Sequence, residues 1–177
     1  LDDGAHDGLI DGNNLQGSIR NLFLHNSNDI TVTNNKFYGA RNENILVKDD
    51  AIVAGVSSNG HVLTNNEIFA NATNYWSLRV SNTEGTNLLQ TTTNYNKYFS
   101  TTSSNIANTQ LSGSDTSYTL ATWRTFNSGD VNSTDKGANT ITSSQFIYNE
   151  TSVNKNITLT GTWYDLEYNS YSGTIVL

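Results

Sequence analysis

Apolar and polar residues alternate in short runs along this chain, and the clearest run is Asn26-Ser-Asn-Asp-Ile-Thr-Val-Thr-Asn-Asn-Lys-Phe-Tyr-Gly39. Ile30 and Val32 alternate with Thr31 and Thr33, so one face of a short strand is apolar. Asn34-Asn35 then turns the chain, and Phe37 re-enters the core. The same order returns at Gly60-His-Val-Leu-Thr-Asn-Asn-Glu-Ile-Phe69, with Leu63 in the place of Val32, an offset of 63 − 32 = 31 positions. Weaker echoes are Asn139–Phe146 and Asn156–Trp163. A period of a few tens of residues predicts stacked units that share one core, an all-β solenoid of roughly six to eight coils.

Taken in order, Gly8-Leu-Ile-Asp-Gly12 predicts a short strand in an entry coil, and Asn21-Leu-Phe-Leu24 predicts another. Ile45–Val47 and Ala51–Val56 predict two strands flanking the charged corner Lys48-Asp49-Asp50; Tyr75–Val80, Leu88-Leu89 and Tyr95–Phe99 continue the series with looser alternation. Ser100 to Ser117 is Ser-, Thr-, Asn- and Gly-rich and reads as an extended loop. Thr119 then fits an N-cap, with Leu120, Trp123 and Phe126 at three-residue spacing predicting a short helix packed on the solenoid. The strand pattern resumes from Asp135 to Leu177 and ends inside an apolar strand without a cap. One domain is expected, with regular coils over 1–99, a loop and short helix over 100–134 and closing coils over 135–177. It is expected to be the C-terminal part of a longer protein, because solenoid ends need a cover.

Composition fits a thin apolar column. The hydrophobic fraction is 35%, low for a globule but sufficient for short strands that each bury alternate residues. The absence of Cys, Met and Pro excludes disulfides, thiolate metal sites and a cysteine nucleophile. The net charge of −7 argues against nucleic acid as a partner, since phosphate contacts need clustered Lys and Arg. An acidic polysaccharide would likewise need a local cationic groove. No apolar run reaches the length of a membrane span.

The rung pattern Asn-x-Ile-x-Val-x-Asn-Asn-x-Phe resembles the right-handed parallel β-helix proteins, the group that includes pectate lyases, polygalacturonases, alginate lyases and phage tailspikes. Trp123 followed by Gly129-Asp-Val-Asn-Ser133 looks like a segment found late in many secreted bacterial members, and Thr158–Leu177 looks like their closing coil. The resemblance implies a right-handed parallel β-helix, secreted or at the cell surface. It implies part of a polysaccharide lyase or glycoside hydrolase, with a non-catalytic glycan-binding or structural stalk as the alternative. Val47-Lys-Asp-Asp-Ala-Ile-Val53 and Leu78-Arg-Val80 resemble the paired aspartates and the Arg-Ile-Lys segment of polygalacturonase-type hydrolases. There the aspartates serve as acid and base, and the cations grip a sugar carboxylate.

Candidate chemistry follows from these residues. Asp49 and Asp50, as adjacent carboxylates, would raise one another's pKa and divide the roles of acid and base. Direct neighbours on a strand point to opposite faces, so both reach one sugar only at a turn or bulge; otherwise Lys48, Asp49 and Asp50 form a charged corner. Arg79, Arg41 and His61 would form a cationic cluster on a uronate, with His61 or Lys48 as the base for β-elimination. Asp50 and Arg79 are 79 − 50 = 29 positions apart, close to the rung offset, which predicts a shared wall. Tyr75 and Trp76 are candidates for stacking on sugar rings, or else core aromatics. Asp2, Asp3 and Asp7 lie among glycines and offer oxygen ligands for Ca²⁺, or else form solvated turns.

Overall fold

The sequence folds, in a computed structural model, into short strands that are dealt in turn to three sheets. The structure describes residues 1–50, 58–70, 76–83, 85, 91–100, 103–135, 147, 149, 151–165 and 169–177. The strand expected at Ala51–Val56, the pair Leu88-Leu89, the rung at Asn139–Phe146 and Tyr75 lie outside the described residues. The chain divides into two compact units, Leu1–Ile141 and Thr142–Leu177.

In the first unit a group of three strands recurs four times. It runs β1 (Leu9–Asp11), β2 (Asn14–Gln16), β3 (Arg20–His25); β4 (Thr31–Thr33), β5 (Lys36–Tyr38), β6 (Glu43–Asp49); β7 (His61–Thr64), β8 (Glu67–Ala70), β9 (Trp76–Asn82); then β10 (Thr91–Asn94), β11 (Lys97–Ser100), β12 (Asn105–Leu111). These are followed by β13 (Ser114–Thr119), α1 (Leu120–Asn127) and β14 (Thr134–Asp135). The first sheet has the order β1-β4-β7-β10, the second β14-β11-β8-β5-β2 and the third β13-β12-β9-β6-β3. Among the described residues of this unit every strand pairing is parallel except β12 with β13. Among the described residues no helix is long and apolar enough to cross a membrane.

Register turns the alternation of single strands into continuous apolar columns. Val32 lies beside Leu63, Phe37 beside Ile68, Ile45 beside Leu78 and Val47 beside Val80. All eight side chains are buried. Each contributes about 1.5–3 kcal/mol on leaving water, which is what a one-residue register slip would forfeit.

The Asn-Asn turns have two distinct roles. Asn34 and Asn65 adopt positive φ (55° and 56°), which Asn tolerates better than other residues with a Cβ. Asn35 and Asn66 follow them and are fully buried. Each sends its Nδ2 to a backbone carbonyl of the preceding repeat, Asn35 to Ile10 and Asn66 to Val32. Each accepts on Oδ1 from the backbone of the preceding repeat, Asn35 from Asn13 and Asn66 from Asn35. Asn96 continues the ladder, sending Nδ2 to Leu63 O and accepting from Asn66 N. The backbone polar groups at this corner are thereby satisfied without water.

Ser133 ends the ladder by accepting the Asn96 N–H at 2.8 Å. Its hydroxyl donates to Asp130, whose buried carboxylate also accepts Trp123 Nε1–H at 2.9 Å and Tyr98 O–H at 3.2 Å. Burial, and then the Asp130 charge, hold the Tyr98 phenol well above its ordinary pKa. Helix α1 brings this group together: Thr119 caps it through Thr122 N, and Leu120 and Trp123 are buried. The expected short helix is present, and the Trp123…Gly129-Asp130…Ser133 segment is its closing device. Phe126 is 40% exposed and stacks on Tyr118.

Two local expectations are corrected, the first of them in this unit. Residues 105–119 form the strands β12 and β13 of a hairpin rather than an extended loop, turning at Ser112 and Gly113, both of positive φ. The low apolar content misleads because the inward positions are filled by Ala107 and Thr109, which continue the Ile45–Leu78 and Val47–Val80 columns with small side chains.

In the second unit β15 (Asn156–Tyr164) and β16 (Ser170–Val176) pair antiparallel, with Ile157 opposite Ile175 and Trp163 opposite Tyr171. The rung expected at Asn156–Trp163 is thus one arm of a hairpin. Asn149 ties its open end, donating to Val153 O and Leu177 O.

Candidate functional site

The outer face of the third sheet carries a cleft of about 360 Å³. Residues that alternate with the buried Leu24, Val47 and Val80 point out of the sheet, and register aligns them in two columns. Phe23, Leu46 and Arg79 form the first, and His25, Lys48, Ser81 and Gln110 the second. Neighbours along a column sit about 4.8 Å apart, the strand spacing. The floor is therefore apolar along one side at Phe23 and Leu46, and hydrogen-bonding along the other, where Ser81 Oγ donates to Gln110 Oε1 at 3.1 Å.

Glu43 anchors one end of the cleft. It is 2% exposed and accepts Arg20 Nε at 2.9 Å and Arg79 Nη1 at 3.2 Å. Arg79 also donates to Asp115 at 2.8 Å from the neighbouring hairpin, and its guanidinium lies 4.9 Å over the Trp76 ring. This geometry fixes the guanidinium plane, which a flexible Lys would not allow.

Asp50 and His25 anchor the other end. Burial alone would raise the Asp50 carboxyl, but hydrogen bonds from Lys48 (2.7 Å), His25 (2.8 Å) and Asn26 (3.1 Å) overcome it and hold the group well below the usual carboxylate range. Burial likewise acts to lower His25, and its hydrogen bonds to Asp2 and Asp50 outweigh that and raise its pKa above the ordinary value. Hydrogen bonding to His25 in turn lowers the Asp2 carboxyl. Asp2, Asp3 and His25 bring one ligand atom each within 4.8 Å of one another, a group able to hold a metal ion. Asp7 is turned instead to His6, 2.9 Å away.

The structure separates the residues expected to act together. Lys48 and Arg79 line the cleft. Asp49 is buried at the end of β6, where its carboxylate accepts Ser58 N–H, and Asp50 stands behind Lys48 and His25. The two aspartates have different partners and do not face one sugar. Arg79 pairs in register with Leu46, an offset of 33 rather than 29, because the third sheet does not share the spacing of the first. His61 is fully buried, accepting Ile30 N–H on Nδ1 and meeting Ser58 Oγ at 3.1 Å from Nε2. Burial depresses it to a pKa of about 4, against the opposing pull of the Asp29 charge and a Ser27 backbone hydrogen bond. Arg41 is exposed and does not line the cleft. Trp76 is half-buried beneath Arg79.

Phe23, His25, Glu43 and Gln110 were not singled out from the sequence. The offsets that reveal them are those of the third sheet, 48 − 25 = 23 and 81 − 48 = 33, whereas only the first-sheet repeat is visible as a pattern. No family model matches the chain, and neither a curated protein nor a solved structure matches it.

Proposed function

We propose that the first unit is a right-handed parallel β-helix that binds polysaccharide, without cleaving it, along the outer face of its third sheet. The observation that carries this reading is the pair of adjacent columns in the cleft, Phe23–Leu46–Arg79 and His25–Lys48–Ser81–Gln110. A sugar ring has an apolar C–H face and a rim of hydroxyls, so a floor that is apolar on one side and hydrogen-bonding on the other is complementary to it. The cleft volume falls at the small end of the roughly 300–1,000 Å³ range of ligand sites. Carriage at the cell surface or in secreted form belongs to this proposal.

The state of the carboxylates favours binding over cleavage. Glycoside hydrolysis needs one carboxyl held protonated near neutral pH and a second facing it across the bond. Glu43 is held between two arginines, and Asp50 is held ionised by Lys48 and His25. Both balance charge and orient cations. Lyase chemistry would need a free neutral base at the cleft; the buried His61 does not reach it, and Lys48 and His25, which line it, are both engaged by Asp50.

A panel of neutral and acidic polysaccharides, immobilised and probed with residues 1–177, tests the proposal while the eluates are assayed for new reducing ends and unsaturated products. Retention without products is the expected result. Product formation would restore the lyase or hydrolase reading, and absence of retention on every member would leave a structural stalk.

A further inference from the structure

We propose that Asp2, Asp3 and His25 form a binding site for a divalent cation of the Zn²⁺ type, with Asp50 as the carboxylate that orients the histidine. His25 Nε2 lies 2.8 Å from Asp50 Oδ2, and Asp50 is itself fixed by Lys48 and Asn26. An ionised carboxylate only accepts, so Nε2 carries the hydrogen and a neutral imidazole turns its Nδ1 lone pair the other way. That lone pair faces Asp2 Oδ1 at 2.6 Å and Asp3 Oδ1 at 3.6 Å. Three acceptors converge there, and either a proton on Nδ1 or a cation between them makes the arrangement favourable.

A proton on Nδ1 serves one of the two oxygens. It reaches Asp2, but the 3.6 Å separation from Asp3 is beyond hydrogen-bond length. A metal ion at about 2.0–2.2 Å from each atom serves all three once the exposed Asp2 carboxylate draws back from Nδ1, from 2.6 Å to the roughly 3.4 Å that tetrahedral ligands keep from one another. Asp2, Asp3 and Asp50 gather three carboxylates around His25, and a bound cation relieves their mutual repulsion.

The imidazole separates this group from an oxygen-only calcium loop, because a nitrogen donor favours borderline metals over Ca²⁺ and Mg²⁺. A carboxylate on the far nitrogen is the arrangement that fixes tautomer and raises basicity in histidine-bound metals. Asp3 Oδ1, the oxygen nearest Nδ1, accepts Asn26 Nδ2–H at 2.8 Å, which orients it and leaves a second lone pair for an ion. The Asp2 and Asp3 side chains are 78% and 43% exposed, which leaves coordination positions open to water on the solvent side. Bound there, the ion would join the first residues of the chain to the end of β3 at the edge of the cleft.

The test is a calorimetric titration of untagged, metal-stripped protein with ZnCl₂, in parallel with CaCl₂ and MgCl₂, together with thermal melts. One Zn²⁺ per chain and a raised Tm are expected, with much weaker responses to Ca²⁺ and Mg²⁺. The exposed carboxylates allow an Asp2→Asn/Asp3→Asn double variant that keeps the fold, checked by circular dichroism, and it should bind Zn²⁺ at least about tenfold more weakly. His6→Gln, which removes the other exposed His–Asp pair, should bind as the parent does. Absence of saturable Zn²⁺ binding, or equal affinity in the double variant, would overturn the proposal; a preference for Ca²⁺ would replace it with an oxygen-ligand site.

Discussion

Asn66 accepts two hydrogen bonds from Asn35 on a single oxygen, from the backbone N–H at 3.0 Å and from Nδ2 at 3.1 Å. Both residues are buried, so neither bond can be replaced by water. Asn66→Ala removes that acceptor and the donor to Val32 O, orphaning groups that each cost about 1–3 kcal/mol. A loss of roughly 3 kcal/mol or more in denaturant unfolding is expected. Asn66→Asp should be no better, because it retains the acceptor but turns an anionic oxygen toward Val32 O.

At the closing end, Trp123→Ala should cost about 3–5 kcal/mol by opening a cavity under α1. Trp123→Phe keeps most of the ring but withdraws the Nε1–H from Asp130, leaving Ser133 and Tyr98 as its side-chain donors. A loss of about 1–3 kcal/mol is expected for it. If Trp123→Phe matched the parent in a urea melt, the hydrogen bond to Asp130 would be irrelevant to closure.

Tyr95 occupies the position that Asn34 and Asn65 hold in earlier repeats, with φ of 56° and 56% exposure. A bulky L-residue is strained there by roughly 1–2 kcal/mol, and Asn is less so. Tyr95→Asn should therefore raise stability by about 0.5–1 kcal/mol, read as a higher urea midpoint at unchanged slope.

His61 predicts acid sensitivity. Its folded pKa of about 4 lies below the ordinary 6.5, so between these values the unfolded chain binds a proton that the folded chain refuses. Stability from this residue is complete above pH 6.5 and is lost as pH falls toward 4. The effect is on the order of 2–3 kcal/mol. Comparing His61→Gln with the parent at pH 7.5 and pH 4.5 isolates it: the variant should be the less pH-dependent of the two.

Arg79→Gln leaves buried Glu43 with Arg20 alone and should cost about 1–2 kcal/mol, less than the loss of a sole partner would. In the retention assay the same change should weaken binding by about tenfold, whereas Arg41→Gln, outside the cleft, should alter neither quantity. Equal effects of the two would place the ligand elsewhere.

The first sheet was legible because Ile30, Val32 and Leu63 put apolar residues at alternate positions before an Asn-Asn turn. The repeat at Thr91–Phe99 obeys the same geometry with Thr93 in the core position and Tyr95 in the turn, so its sequence hides what its register shows. β12 and β13 were hidden for a related reason: an inward Ala or Thr satisfies the column yet carries no apolar signal. The helix was legible from its cap and from Trp123. The cleft was not, because its members are joined by offsets of 23 and 33 that belong to the third sheet alone. Asp49 and Asp50 look paired in the sequence, and strand alternation followed by a corner divides them.

Successive members of the asparagine ladder, Asn13, Asn35, Asn66 and Asn96, are separated by 22, 31 and 30 residues, yet the same kind of bond joins each to the next. Corner length is therefore decoupled from alignment: each round is re-zeroed at one amide, whatever the chain did in between. Segments can be lengthened, shortened or exchanged between rounds without shifting the outward columns by a single step. The scaffold is in this sense tolerant of insertion at its margins and intolerant at four side chains, which makes those margins the natural places to graft new binding loops.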